Sequence, residues 1–355
     1  MRQLTCTAPG TIEWLDVAEP TILEPTDALV RPLAVARCEL DPLLILLGPT
    51  MDDPFALGHE AVVEIVALGD AVDGLHVGQR ALPSFQVSCG SCPTCRRGFT
   101  ANCDAYPVLS DYGMQPLSGV EYGGMLSDLV RVPHAAAMLT PLPDGLDPVS
   151  VASVPDNVAD GYRSVAPHLA DRPGADVLVA CHGNPSIALY AAQSALALGA
   201  GSVTFASDDE RVLGLAERIG ATPRPTDFVE RAGTWPIVVD CGTRVEAFRW
   251  VVRATEPEGV LHSVSYYAEQ PTVAVPLGRL YTLGIQFHIG RAHSAALLPE
   301  VIAAVADGRL HPELVTTCVA DWDDAPTAYL EPSVKLVVAR PATTTPAPAP
   351  PEEHR

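Results

Sequence analysis

Four cysteines lie within fifteen residues of one another in the segment CGSCPTCRRGFTANC: Cys89, Cys92, Cys95 and Cys103. Glycine and proline in the gaps allow the chain to fold back, so that four thiolates can surround one tetrahedral ion. Zinc suits four thiolates, and a site without an open position is structural. The alternative is a set of free or redox-active thiols, which the two-residue spacings and the glycine-bearing loop disfavour. The segment therefore predicts a structural zinc lobe.

A second set of residues that can bind metal lies outside this lobe. Cys38 ends a strand-like run, His59 and Glu60 follow a glycine turn, and Asp156 begins a predicted helix. One thiolate, one imidazole and one carboxylate would leave a fourth zinc position for water or substrate. Taken singly, each residue has a simpler explanation, since a lone cysteine is usually a small buried apolar residue and an aspartate before a helix is usually an N-cap. Composition and spacing alone do not indicate that these residues form one site.

Two hydrophobic patterns indicate the elements that position these side chains. In residues 1–150, short apolar runs alternate with glycine and proline, which predicts a β-rich, barrel-like domain. In residues 151–290, buried-strand candidates alternate with helix-like stretches, which predicts a parallel sheet with helices on both faces. Residues 291–340 add one helix and a final strand, and residues 341–355 are rich in proline, alanine and threonine and are expected to be disordered.

Composition limits the classes of function. The net charge of −21 makes a nucleic-acid partner unfavourable. No apolar run reaches membrane-spanning length, and the N-terminus lacks the apolar region of a signal peptide, so we expect a cytoplasmic protein without a membrane partner. In that compartment, nine cysteines favour thiol or metal chemistry over a disulfide framework.

The sequence resembles the zinc-dependent medium-chain alcohol dehydrogenases to about residue 339. The resemblance is carried by GHE at 58–60, VGQRAL from residue 77, the CGSCPTCRRG lobe, GGMLSDLVRVP, and VVDCG at 238–242. It implies an α/β fold in which a GroES-like catalytic domain, residues 1–150 and 291–340, is interrupted by a Rossmann dinucleotide-binding domain, residues 151–290. It also implies two zinc ions per chain, one in the cysteine lobe and a catalytic one on Cys38, His59 and Asp156, with Glu60 beside it.

The activity that the resemblance implies is hydride transfer between a small alcohol, aldehyde or ketone and NAD or NADP, in a dimer or tetramer. Asp156 resembles the formaldehyde-dehydrogenase branch, since many relatives have cysteine at this position. A serine or threonine that usually passes on the substrate proton is replaced by Leu40, which has no hydroxyl. A substrate group, a bound water, Asn157 or Asp160 would have to replace it.

The stretch VLVACHGNPSIALYAAQ, residues 177–193, predicts the strand, turn and helix of a dinucleotide site, but the usual three glycines are reduced to Gly183. One alignment treats Cys181 and His182 as an insertion and puts Pro185 at the second glycine. The other has no insertion and puts Gly183 and Ser186 at the second and third. In both, the start of the helix offers free N–H groups to an anion. The predicted cofactor-binding residues here are Gly183, Asn184, Ser186 and Ile187.

The choice between NAD and NADP depends on the end of the next strand, SVTFASDDER. Ser207 stands where an acid would select NAD, and with Arg211 it favours NADP. Asp208 is adjacent and could bind the ribose hydroxyls, and the acids that follow it would repel a 2′-phosphate. On balance the sequence slightly favours NAD.

Two other functions are compatible with the same residues. One is a dismutase or a non-redox enzyme in which a tightly held cofactor never leaves. The other is a zinc-stabilised binding protein that has lost turnover. Leu40 and the altered turn favour these alternatives, whereas the retention of Cys38, His59, Glu60 and Asp156 opposes a binding protein.

Overall fold

The computed structural model describes residues 1–49, 53–115, 117, 120–231, 233–265 and 272–341. Most of the predicted disordered tail, residues 342–355, lies outside the described residues, and so do residues 266 and 267 at the end of a predicted strand. No helix within the described ranges is both long and apolar enough to cross a membrane.

The N-terminal part of the chain is built from short strands, as the alternation of apolar runs with glycine and proline predicts. The strands are β1 (Arg2–Ala8), β2 (Thr11–Asp16), β3 (Ala28–Ala36), β4 (Phe55–Ala56), β5 (Glu60–Leu68), β6 (Arg80–Pro83), β7 (Ser110–Asp111), β8 (Val120–Glu121), β9 (Val130–Val132) and β10 (Leu139–Pro141). The later strands are β11 (Val177–His182), β12 (Val203–Ser207), β13 (Thr222–Pro225), β14 (Trp235–Gly242), β15 (Thr255–Ser263), β16 (Gln286–Ile289), β17 (Cys318–Asp321) and β18 (Leu336–Ala339).

Helices are short in the N-terminal part and longer between the later strands. They are α1 (Asp41–Leu47), α2 (Pro93–Arg96), α3 (Ala135–Met138), α4 (Pro148–Val151), α5 (Ala159–Arg163), α6 (Ala166–Asp171), α7 (Pro185–Ala197), α8 (Glu210–Arg218), α9 (Val245–Ala254), α10 (Leu277–Leu283), α11 (Ser294–Ala306) and α12 (Ala325–Ala328). One π-helical turn, Val154–Val158, precedes α5. Single 3₁₀ turns cover Thr100–Asn102, Pro312–Val315 and Trp322–Asp324.

The β-rich sheet contains strands from both ends of the chain. Its order is β10-β6-β5-β3-β18-β17, and β9 also pairs with β3. Strand β18 runs antiparallel to β3 and places Val337 opposite Ala36. The C-terminal strands therefore return to the sheet that the N-terminal strands began.

The second large sheet is parallel and has the strand order β13-β12-β11-β14-β15-β16. Successive residues of β11 face opposite sides: Val177 and Val179 pack in the same core as α7, while Leu178 and Ala180 pack in the same core as α9. Helices thus cover both faces, and the order is that of a Rossmann fold. The predicted α/β class is confirmed. The edge strands β13 and β16 have no predicted counterpart, because each is only four residues long and partly exposed.

Candidate active site

Strand pairing brings the second set of metal-binding side chains together. Strands β3 and β5 are antiparallel and place Ala36 opposite Glu60, so that Cys38 and His59 lie beside each other at the strand ends. Asp156 comes from the π-helical turn, a feature that is frequent at functional sites. The ligand atoms of Cys38, His59, Glu60 and Asp156 all lie within 4.8 Å of one another.

The geometry of these side chains fits a tetrahedral metal ion. Ligand atoms about 2.0–2.1 Å from a tetrahedral zinc lie about 3.3 Å apart, and Nε2 of His59 lies 3.4 Å from Oδ2 of Asp156. Both ring nitrogens of His59 are buried without a hydrogen-bond partner among the described residues. Such unpaired buried groups are costly, and coordination to a cation would satisfy one of them.

The electrostatics of the site also favour a cation. Burial opposes a charge on His59, but Asp41, Asp156 and Glu60 together raise its pKa to about 9. Burial, with the surrounding carboxylates, raises the pKa of the Cys38 thiol well above its ordinary value. A raised pKa means that the Cys38 thiol keeps its proton. A divalent cation would favour the thiolate instead, because its charge stabilises the thiolate and the carboxylates around it.

Asp41 supports two of the predicted ligands and was not among the predicted site residues. Its Oδ2 accepts a hydrogen bond of 3.0 Å from the Cys38 backbone N–H, and its Oδ1 lies 3.5 Å from Nδ1 of His59. The side chain is fully buried. A carboxylate that accepts a hydrogen bond from the second nitrogen of a ligating imidazole orients the ring and fixes its tautomer, and Asp41 is the acid nearest to that nitrogen. The available sequence signal was an acid three residues after Cys38, at the start of α1.

Lys335 is also absent from the predicted site. It is the only lysine in the sequence, and its side chain is completely buried. Its Nζ lies 3.0 Å from both carboxylate oxygens of Glu60 and donates a 2.9 Å hydrogen bond to the backbone oxygen of Arg37. Burial opposes the charge on Lys335, yet the carboxylates of Glu60 and Glu39 raise its pKa. A single charge within the apolar run VKLVVA, residues 334–339, was the signal that could have indicated a buried partner.

Asn157 connects the metal-binding residues to the start of α7. Its side-chain N–H groups donate to Oδ2 of Asp156 at 3.0 Å and to Sγ of Cys38 at 3.4 Å. Its Oδ1 accepts from Nζ of Lys335 at 2.5 Å and from Oγ of Ser186 at 2.9 Å. Both the N–H groups and the oxygen of this amide are therefore paired. These hydrogen bonds orient the ligands and leave no group of Asn157 to carry a proton.

The four cysteines of the predicted zinc lobe also converge. Their sulfur atoms lie within 4.8 Å of one another, and Sγ of Cys103 is 3.6 Å from Cys89 and 3.9 Å from Cys92. Sulfurs about 2.3 Å from a tetrahedral zinc lie about 3.8 Å apart. Backbone N–H groups of Cys89, Cys92 and Cys95 also point at cysteine sulfurs at 3.3–3.4 Å. All nine cysteines of the chain are free of disulfides, so these thiols are available to a metal.

A cleft of about 450 Å³ joins the predicted metal site to the predicted cofactor turn. Cys38 and Asp156 line one part of it, and Gly183, Asn184 and Ile187 line another. Ser186 is buried behind this wall, at the start of α7. The cleft lies at the carboxyl ends of β11 and β14, where the strand order of the parallel sheet reverses and doubly wound folds bind ligands.

The turn in the cleft is short. Strand β11 continues through Cys181 and His182, which pair in register with Cys241 and Gly242. Both residues therefore belong to the regular ladder and not to the turn, and the choice between the two alignments stays a prediction. Pro185 lies in the first turn of α7, where its missing N–H costs no hydrogen bond. A side chain on Gly183 would lie 2.8 Å from Oγ1 of Thr243, so this glycine allows the close approach of two loops.

The residues predicted to select the cofactor lie at the end of β12. Ser207 is buried, and its Oγ accepts a hydrogen bond of 3.2 Å from the Asp209 backbone N–H. Asp208 forms an ion pair of 2.9 Å with Arg244, and Arg211 forms one of 2.9 Å with Asp209. The side chain of Arg211 is exposed, and it is already paired with an acid.

Comparison with known proteins shows similarity to zinc-binding alcohol dehydrogenases. Residues 24–144 match the alcohol dehydrogenase GroES-like domain. A protein of Mycobacterium tuberculosis named a probable zinc-binding alcohol dehydrogenase is 28% identical over 342 residues, covering 93% of this chain and 84% of its own. An NADP-dependent isopropanol dehydrogenase of Entamoeba histolytica is 29% identical over 293 residues, covering 78% of this chain and 76% of its own.

The fold is also that of a solved alcohol dehydrogenase. The alcohol dehydrogenase TADH from Thermus sp. ATN1 superposes with a TM-score of 0.86 at 24% identity, covering 96% of this chain and all of that chain. The formaldehyde-dehydrogenase branch stays a prediction from Asp156. The chain is therefore similar to zinc-dependent alcohol dehydrogenases over most of its length, and residues 24–144 match their GroES-like domain.

Proposed function

We propose that the protein is a zinc-dependent oxidoreductase that transfers a hydride between an alcohol, aldehyde or ketone and a nicotinamide cofactor. The observation that carries the proposal is that Cys38 and Asp156 line the same cleft as Gly183 and Asn184. An enzyme of this kind must hold the reacting carbon of the substrate against the nicotinamide ring. A cleft that contains both candidate sites meets that requirement.

We further propose two zinc ions per chain. Cys38, His59 and Asp156 would hold the catalytic ion, and the cysteines 89, 92, 95 and 103 would hold a structural one. The catalytic ion would supply Lewis acidity toward the substrate oxygen. Asp41 and Asn157 would keep its ligands oriented, and Lys335 would balance the charge of Glu60 beside it.

The lining of the cleft favours an apolar substrate. Around the candidate metal ligands, the side chains are mostly aliphatic or aromatic: Leu40, Leu43, Phe85, Leu109, Met114 and Leu117. Such a surface stabilises a hydrocarbon group and offers few hydrogen bonds to a polyol. A small alcohol or carbonyl compound with an apolar substituent is therefore the proposed substrate class.

For the cofactor we propose NAD rather than NADP. Asp208 retains a carboxylate beside the expected ribose position, and Arg211, the candidate partner of a 2′-phosphate, is paired with Asp209. The NADP-dependent relative keeps NADP as the alternative. We propose the same domain division that the sequence predicts, with a catalytic domain at 1–150 and 291–340, a nucleotide domain at 151–290, and a homo-oligomeric assembly.

A direct test of the proposal is titration of the zinc-replete protein with NADH and with NADPH, followed by nicotinamide fluorescence. We expect saturable binding, tighter for NADH, and oxidation of apolar alcohols by the same cofactor. Cofactor that copurifies and is released only by denaturation would indicate the dismutase or non-redox alternative. A protein with full zinc that binds neither nucleotide would contradict the proposal and favour a binding protein.

The proton of the substrate needs an acceptor, because Leu40 has no hydroxyl and the Asn157 amide is fully hydrogen-bonded. We propose Asp160, which lines the same cleft one helical turn after Asp156. Its Oδ1 accepts from Nε of Arg163 at 2.5 Å, and Arg163 is itself held by Nε2 of His262 at 2.8 Å. Among the described residues, only Arg163 hydrogen-bonds this carboxylate, which leaves Oδ2 for the proton.

We expect Asp160→Asn to lower the rate of alcohol oxidation at neutral pH by about 100-fold, the usual contribution of a positioned base. Burial, only partly offset by Arg163, raises the pKa of Asp160 to about 6. The carboxylate form accepts the proton, so wild-type activity should fall as pH drops through about 6, and the variant should lose that dependence. Zinc content and the Kd for NADH serve as controls and should not change. A variant that keeps the same pH profile would show that the proton leaves by another route.

A further inference from the structure

At the start of α7, a carboxylate of the chain itself lies where the pyrophosphate of a dinucleotide is expected. Glu39 follows Cys38 directly, and its Oε1 accepts a hydrogen bond of 2.5 Å from the backbone N–H of Ser186. Ser186 is the second residue of this 13-residue helix and follows the turn at Gly183 and Asn184. Unpaired N–H groups and the helix dipole make such a position a binding site for anions.

The second oxygen of Glu39 gives independent evidence that the carboxylate is poorly satisfied there. Oε2 is buried and has no hydrogen-bond partner among the described residues. An unpaired buried oxygen of a charged group is unfavourable, so the contact with Ser186 is only a partial compensation. Glu39 also lines the cleft that Gly183 and Asn184 line, and therefore lies on the path of any ligand that reaches this turn.

We propose that Glu39 competes with the cofactor pyrophosphate for the N-terminus of α7, so that the carboxylate must move away before a dinucleotide can bind. The inference rests on the proposed function, because it supposes a dinucleotide ligand. A carboxylate and a pyrophosphate cannot share the same N–H group, and two anions at hydrogen-bond distance from it repel each other. Glu39 thus lowers the affinity for the cofactor.

The charge of Glu39 can be tested separately from its shape. Glu39→Gln keeps an oxygen that can accept from Ser186 but removes the charge, and Glu39→Ala removes both. We expect each variant to bind NADH at least tenfold more tightly than the wild type in a fluorescence titration of the zinc-replete protein. Glu19→Gln is the matched control, since it removes the same charge from an exposed residue that does not line the cleft and should leave the Kd unchanged.

The outcomes distinguish this inference from the proposed function. If all proteins bind NADH or NADPH with the same Kd, or if both Glu39 variants bind more weakly, the competition is refuted while the dehydrogenase proposal stands. If neither the wild type nor any variant binds a nucleotide, both proposals are overturned. Zinc content and circular dichroism of each variant establish that a change in Kd does not come from misfolding.

Discussion

Replacing Lys335 with methionine is expected to lower the free energy of unfolding by about 3–5 kcal/mol, the usual cost of leaving one member of a buried ion pair unpaired. The variant keeps the length of the side chain but removes the charge that faces both oxygens of Glu60 at 3.0 Å. It also removes the hydrogen bonds to the Arg37 carbonyl and to Oδ1 of Asn157. Urea denaturation of the zinc-replete protein measures the effect.

Two further variants show whether the loss comes from the unpaired charge. The double variant Lys335→Met/Glu60→Gln removes both charges and should recover a large part of the stability, since the cost lies mainly in the isolated carboxylate. Arg309→Met breaks an exposed pair with Asp307 and should change stability by less than about 1 kcal/mol. If Lys335→Met were as mild as Arg309→Met, the buried pair would not hold the site together.

Replacing Asp156 with alanine is expected to reduce the zinc content from the proposed two ions per chain to one and to lower activity by about 10³-fold or more. Loss of one of three protein ligands weakens a catalytic site far more than a closed four-cysteine site, and the Lewis acidity of the ion contributes several kcal/mol to the reaction. Metal analysis after dialysis, together with alcohol oxidation, measures both effects.

Asp156→Cys is the matched variant, because a thiolate is also a zinc ligand and restores the negative charge. It should keep two ions per chain and a measurable fraction of the activity. Cys103→Ser should instead remove the ion of the cysteine lobe and reduce stability. If Asp156→Ala kept two zinc ions and full activity, Asp156 would not be a ligand and the proposed site would be wrong.

Much of the architecture could be predicted from the sequence because it depends on local patterns. The change from short, punctuated apolar runs to alternating strands and helices predicts the α/β class, which the Rossmann strand order confirms. The four lobe cysteines lie close together along the chain, so loop closure costs little and their spacing alone indicates a metal. A resemblance, rather than spacing, pointed to Cys38, His59 and Asp156 as one set.

Only the tertiary structure shows which residues from distant segments of the chain contact one another. The pairing of β3 with β5 brings Cys38 beside His59, and the π-helical turn delivers Asp156 to them. The return of β18 to β3 places the only lysine against Glu60. The hydrogen bond from the backbone N–H of Ser186 to Glu39 is likewise not indicated by the sequence around either residue. These contacts depend on strand register and on the order of strands in the sheet, and residue types along the chain do not specify either one without the folded core.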